Sequence, residues 1–188
     1  MLGTILLYTN GNHEKEAKIS DLLKEDFVVR TMDASQLHER IGYLFELDGY
    51  EASPEETFAP FAHEVIVFSV VDASIISEVA KILQEHELNI DRKAMLTEHN
   101  QKWKANDLFV ELNEEHHYFL KRNRLNMLLQ LAMKVKPESV PEEIRPAFQQ
   151  AVVEAYDVLK KQSSAEEIES AIAKLLPYFG DASLIKNA

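Results

Sequence analysis

A run of apolar residues from Val65 to Val71, interrupted only by Ser69, constrains the fold more than any other feature of the chain. A strand with one solvent-facing side alternates apolar and polar residues, whereas a strand that is apolar at successive positions is buried on both faces. Such burial is typical of a central strand in a sheet covered by helices. We therefore expect this segment, which begins at Glu64, to form a central strand of an α/β sheet.

Three further short segments are interpreted as strands, at residues 4–9, 27–32 and 92–97. A segment of helical periodicity follows each of these strands. Helical connections supply the crossovers that parallel strands require. The predicted fold class is α/β, with a mostly parallel four-stranded sheet, flanking helices and a C-terminal all-α extension. We expect neighbouring strands to run in the same direction, and the strand order stays open.

The sequence pattern changes after residue 118. No strand pattern follows, and apolar residues recur at helical spacing. Ser164 and Glu167 have the spacing of a capping box, which predicts the start of the last helix. The expected organisation is an α/β domain over residues 1–118 and a helical extension over residues 119–188.

The chain of 188 residues has a formal net charge of −12 and no Lys or Arg between Arg40 and Lys81. A negative field repels phosphate backbones, which argues against nucleic-acid binding as a main function. Ordinary solubility explains this acidity, and a docking face for a basic partner is the alternative. The chain has no cysteine, which excludes disulfides and thiolate ligands and fits a reducing compartment.

The N-terminal segment lacks the basic start and the apolar length of a signal peptide. No segment approaches the roughly 20 apolar residues that a membrane span requires. We therefore expect a cytoplasmic protein that does not bind membranes.

No motif for catalysis or cofactor binding is present. The five glycines do not have the spacing of a phosphate-binding or dinucleotide-binding loop. His116 and His117 are adjacent, so on a helix their side chains diverge by about 100° and do not share a metal ion. We expect no catalytic residue, no metal and no cofactor.

Polar side chains follow the first and the fourth predicted strand. In parallel α/β sheets, ligands bind outside the carboxyl ends of strands, so these two loops are the candidate site for a small polar or anionic ligand. The alternative is structural, because Thr97 and Asn100 are able to bond nearby backbone groups and fix a turn. The candidate ligand-binding residues are Asn10, Asn12, His13, Thr97, His99, Asn100, Lys102 and Trp103.

The residues Lys93-Ala94, Thr97, Asn100 and Trp103, followed by an acidic helical segment, resemble the end of a small bacterial domain family known only as a domain of unknown function. The resemblance is strongest over residues 64–117, is weaker over 1–63 and does not extend over 119–188. The family tends to have Thr-Pro-Thr-Asn where this chain has Thr97-Glu98-His99-Asn100. The resemblance implies a fold and a domain boundary, and it implies no activity.

Two functions fit these patterns best, and an enzyme without a recognisable motif stays open as a third. The first is a non-enzymatic protein-interaction or assembly module whose C-terminal helices form a homo-oligomer or dock a protein partner. The second is a small-ligand sensor that uses the loop Thr97–Trp103. The apolar faces considered for docking, for which packing inside the extension is the alternative, contain Phe148, Val152 and Tyr156 on one helix and Ile168, Ile172 and Leu176 on the next.

Overall fold

The computed structural model describes residues 1–70 and 72–179 of the chain. The chain divides into two compact units, Met1–His116 and a second that begins at His117. The predicted boundary after residue 118 stays a prediction.

The first unit contains a four-stranded mixed sheet with flanking helices, as predicted in outline. The strands are β1 (Gly3–Tyr8), β2 (Phe27–Met32), β3 (Val65–Phe68) and β4 (Arg92–Met95). The helices are α1 (His13–Leu23), α2 (Ile41–Leu44), α3 (Ala73–Glu85) and the start of α4, which spans Ala105–Ala132. The strand order is β2-β1-β3-β4, with β1 parallel to β2 and β3 parallel to β4.

The expectation that neighbouring strands all run in one direction is wrong at the centre of the sheet, because β1 and β3 are antiparallel. Tyr8 at the end of β1 pairs with both Met32 at the end of β2 and Val65 at the start of β3. The connection over residues 33–64 therefore leaves and re-enters the sheet at one edge. Because the connection joins antiparallel strands, it does not have to return to the opposite end of the sheet. The burial of a strand on both faces does not depend on the direction of the strand, so the apolar run did not indicate this arrangement.

Each face of the sheet has its own apolar core. On β1, Ile5 and Leu7 contact the core formed with α1 and α3, whereas Leu6 and Tyr8 contact the core formed with α2 and α4. This alternation follows from the two-residue period of a strand. Burial of each such side chain contributes roughly 1.5–3 kcal/mol relative to exposure to water.

The helical segment expected after the strand at residues 27–32, with Asp33 or Ser35 as its cap and its end near Leu47, is reduced to a 3-10 turn, Ala34–Gln36, and the four-residue α2. The backbone between them bonds to α4 instead of continuing a helix. The carbonyl of Leu37 accepts from Asn106 N, and the carbonyl of Glu39 accepts from Ala105 N. These bonds use two of the N–H groups that the start of α4 leaves without an intrahelical acceptor.

The second unit consists of the end of α4, α5 (Arg145–Lys160) and α6 (Ala165–Leu175). Ser164 and Glu167 form the predicted capping box at the start of α6. Most of the apolar residues considered for docking instead form this unit's core: Phe148, Ile168 and Ile172 are buried, and Val152 packs against them. Packing inside the extension therefore explains those two faces, and only Tyr156 and Leu176 are exposed.

Two aspartates act as N-caps, Asp33 for the 3-10 turn that follows β2 and Asp72 for α3, which follows β3. The carboxylates of Asp33 and Asp72 accept hydrogen bonds from the hydroxyl and the backbone N–H of Ser35 and Ser74, respectively, and these bonds lower the pKa of both carboxyls. This contribution to stability is complete above the ordinary pKa of 3.8 and is lost as the pH falls through the lower folded value.

We therefore expect the free energy of unfolding to fall less steeply with decreasing pH in the double variant Asp33→Asn, Asp72→Asn than in the natural chain. The urea midpoint of each protein, followed by circular dichroism at pH values from above to below the ordinary aspartate pKa, measures this difference in pH dependence. Equal pH dependence in the two proteins would contradict the assigned caps.

Candidate functional site

The two polar loops that were considered together lie at opposite edges of the sheet. The loop after β1 follows Tyr8, which pairs with Val65, and Val65 pairs with Arg92 at the start of β4. The loop after β4 follows Met95, which pairs with Phe68 at the other end of β3. Because β1 and β3 are antiparallel, the structure does not bring Asn10, Asn12 and His13 together with residues 97–103.

The loop Thr97–Trp103 is a turn closed by its own side chains. Asn100 Oδ1 accepts from Thr97 N at 2.8 Å, and Thr97 Oγ1 accepts from Asn100 N at 3.1 Å. Asn100 Nδ2 donates to the carbonyl of Met95 at 2.8 Å, which joins the turn to the end of β4. Both polar ends of the Asn100 amide are thus used inside the loop, as the structural alternative expects.

The other candidate residues of this loop make contacts that are separate from the turn. Trp103 is half-buried against the core beneath α4, and its carbonyl accepts from Ile41 N at 2.9 Å. The exposed His99 ring packs edge-to-face on the indole, with centroids 5.0 Å apart. Lys102 is exposed and lines a cleft of about 540 Å³ together with Arg40 and residues 49–54.

Replacing Asn100 with alanine removes the two bonds that the amide makes and leaves the N–H of Thr97 without its acceptor. We expect Asn100→Ala to lower the free energy of unfolding by about 1–3 kcal/mol, at about 1 kcal/mol for each bond. Urea unfolding measures this loss. Asn123→Ala, an exposed replacement on α4, is the control, and an equal effect of both would contradict the turn's structural role.

The opposite edge of the sheet contains a polar cleft of about 400 Å³, which we call the Arg92 cleft. It lies where β1 ends and where β3 and β4 begin. Asn10 and Asn12 line it, whereas His13 is exposed and lies 4.0 Å from Glu16. The lining residues are Thr9, Asn10, Asn12, Ala62, His63, Glu64, Asn89, Asp91 and Arg92.

Arg92 is the buried cation of this cleft, with 7% of its surface exposed. Its Nε and Nη2 both donate to Asn113 Oδ1, at 3.0 and 2.8 Å. Burial lowers the pKa of the guanidinium, and the nearby Asp91 opposes that shift. Sequence reasoning assigned Arg92 to a strand and did not predict its position in a cleft, because that position depends on the antiparallel pairing.

The second half of α4 exposes apolar residues beside cations, and we call this surface the α4 face. Leu120, Met127 and Leu131 are 51%, 67% and 47% exposed. With Arg124 and Lys134 they recur every three or four residues, which places them on one side of a helix and its immediate continuation. The opposite side contributes Leu125, Leu128, Leu129 and Ala132 to the core of the second unit.

The charged residues that α4 and its continuation contribute beside the α4 face are all cations. Residues 116–137 include five Lys and Arg and no Asp or Glu. Lys121 pairs with Glu169 at 2.5 Å, and Arg122 donates to the carbonyl of Leu159. Within the part of the chain that the structure describes, no hydrogen bond or ion pair engages the side chains of Arg124, Lys134 and Lys136. The face is therefore a cationic, partly apolar helix surface in an acidic protein.

A sequence model of a family described as "Domain of unknown function (DUF3783)" matches residues 64–119. The match confirms the resemblance expected for this part of the chain, which includes β3, α3, β4 and the Thr97–Asn100 turn. No curated protein and no solved structure matches the chain. Within residues 1–70 and 72–179, no helix has the length and hydropathy of a membrane span, and no three His, Asp or Glu side chains group as metal ligands.

Proposed function

We propose that this chain is a non-enzymatic, cytoplasmic protein-interaction or assembly module whose contact element is the α4 face. The observation that carries the proposal is the exposed series Leu120, Met127 and Leu131 on a helix whose opposite side is already buried. Contiguous exposed apolar residues with a polar rim mark protein contact sites. The helix is held in place by its own unit, so the face is presented in a fixed conformation.

The spacing and charge of the α4 face favour an acidic amphipathic helix as the partner. Positions 120, 124, 127, 131 and 134 alternate intervals of four and three, the spacing of a seam between two helices, and three of these five positions are apolar. Arg124 and Lys134 lie within the same series, so a partner with Asp or Glu beside its apolar stripe would bind by charge complementarity. A second copy of this face would instead place cations against cations, which disfavours a symmetric homodimer through this surface.

The proposal is tested with two fluorescent helical peptides that share one apolar heptad pattern. The first has Glu at all flanking positions, and the second has Lys at these positions. We expect fluorescence anisotropy at low salt to show at least about tenfold tighter binding of the acidic peptide, and this preference to decrease as salt screens the charges. Equal binding of the two peptides, or binding of neither, would contradict the proposal.

The alternative is a small-ligand sensor that uses the loop Thr97–Trp103. It has less support, because the Asn100 amide and the Thr97 hydroxyl are used inside the turn. Trp103 is the sole tryptophan, so a saturable change in its fluorescence with a small metabolite would favour this alternative.

A further inference from the structure

We infer that the Arg92 cleft binds a small monocarboxylate, anchored by the guanidinium of Arg92. This inference does not depend on the proposed protein contact, which concerns the other unit of the chain. The cleft volume of about 400 Å³ lies within the range of roughly 300–1,000 Å³ typical of small-molecule sites.

Arg92 is a buried residue whose guanidinium has no carboxylate partner. Among residues 1–70 and 72–179, no Asp or Glu oxygen lies within 4.0 Å of its nitrogens, although the chain has 32 acidic residues. Buried charges are ordinarily paired, because an unpaired charge loses hydration without compensation. An anion that enters the cleft would supply the missing counter-charge.

The hydrogen bonds of Arg92 leave its distal edge available. Nε and the near N–H of Nη2 donate to the single acceptor Asn113 Oδ1, which fixes the plane of the guanidinium. The remaining N–H of Nη2 and those of Nη1 have no acceptor among the described residues. Two parallel N–H groups of this kind match the two oxygens of a carboxylate.

The charges of the cleft favour a single negative charge on the ligand. Glu64 is neutralised by Lys15, whose Nζ lies 2.5 Å from its carboxylate. Among the described residues, Arg92 is the one Lys or Arg that lines the cleft, so it matches a single carboxylate. A second negative charge on the ligand would face Asp91 without a second Lys or Arg to balance it. The Asn10 amide bonds to the Tyr8 hydroxyl and the Ala62 carbonyl, and Asn12 Oδ1 accepts from Lys15 N. The Asn89 amide and the N–H groups of Asn12 Nδ2 are the partners for hydroxyl groups on the ligand.

The test uses lactate and glycerate as probes, inorganic phosphate as the comparison, and isothermal titration calorimetry on the full chain. Arg92→Gln removes the anchor. Asn89→Asp adds a negative charge at an exposed position of the cleft with little change in shape. Gln149→Glu, on the exposed surface of α5, makes the same change in net charge and is the matched control.

We expect saturable binding of a hydroxy acid that weakens about tenfold or more in Arg92→Gln and about threefold or more in Asn89→Asp, with Gln149→Glu unchanged. If thermal unfolding shows that Arg92→Gln does not fold, the affinities of Asn89→Asp and Gln149→Glu are compared instead, and they decide whether the ligand binds in the Arg92 cleft. Absence of saturable binding, equal affinities across the folded variants, or tighter binding of phosphate would overturn the inference.

Discussion

Truncation of the Phe109 ring is expected to destabilise the first unit by about 3–5 kcal/mol, the range for loss of a buried aromatic side chain. Phe109 is 1% exposed and lies on α4. Its ring centroid is 5.2 Å from that of Tyr8 on β1 and 5.4 Å from that of Phe61 in the long connection. The ring therefore joins α4, the sheet and the segment 33–64, and Phe109→Ala would leave a cavity among all three.

Urea unfolding followed by Trp103 fluorescence measures this loss, because the indole packs against the same core. Phe119→Ala is the matched control on the same helix, since Phe119 is 57% exposed. An exposed replacement is expected to change the free energy of unfolding by less than about 0.5 kcal/mol. Similar losses in the two variants would contradict the position of Phe109 in the core.

Replacement of Met127 by glutamate is expected to weaken binding of the acidic helical peptide by about tenfold or more. Met127 is the most exposed apolar residue of the α4 face and lies between Leu120 and Leu131 in its series. A carboxylate there removes apolar contact area and places a negative charge opposite the acidic flanks of the peptide. Because position 127 is exposed, the variant is expected to fold with nearly unchanged stability.

Anisotropy titration of Met127→Glu against Gln149→Glu separates the local effect from the change in net charge. Both variants gain one glutamate on an exposed helical position of the second unit. The control is expected to bind as the natural chain does. If both variants weaken binding equally, the contact is not on the α4 face.

The sequence predicted the four strands and their flanking helices because burial leaves a pattern in the chain. The Val65–Val71 run indicated a central strand, and β3 lies between β1 and β4. Strand direction was predicted wrongly, since a strand buried on both faces has the same composition in either direction. The helix after Asp33 was overestimated, because the carbonyls of Leu37 and Glu39 bond to the start of α4.

The candidate sites depend on contacts between distant segments. The spacing of Thr97 and Asn100 suggested a turn because both bonds are local. Arg92 was missed as a site residue, since its position in the cleft depends on the antiparallel pairing of β1 and β3, and its hydrogen-bond partner Asn113 is 21 residues away. On α5 and α6 the apolar periodicity is the same whether the helices pack inside their own unit or against another protein. The structure places most of those apolar residues in the core of the second unit. The α4 face was missed because that helix is apolar on two sides.

Photo-crosslinking from position 127, in cells that naturally contain this protein, tests the central claim most directly. A benzophenone side chain at Met127 is predicted to crosslink to an acidic helical segment of a different protein, whereas the same group at Gln149 is predicted not to capture that segment. Crosslinks only to another copy of this chain, only to lipid, or to a segment without acidic residues would contradict the account, and so would the absence of any crosslink.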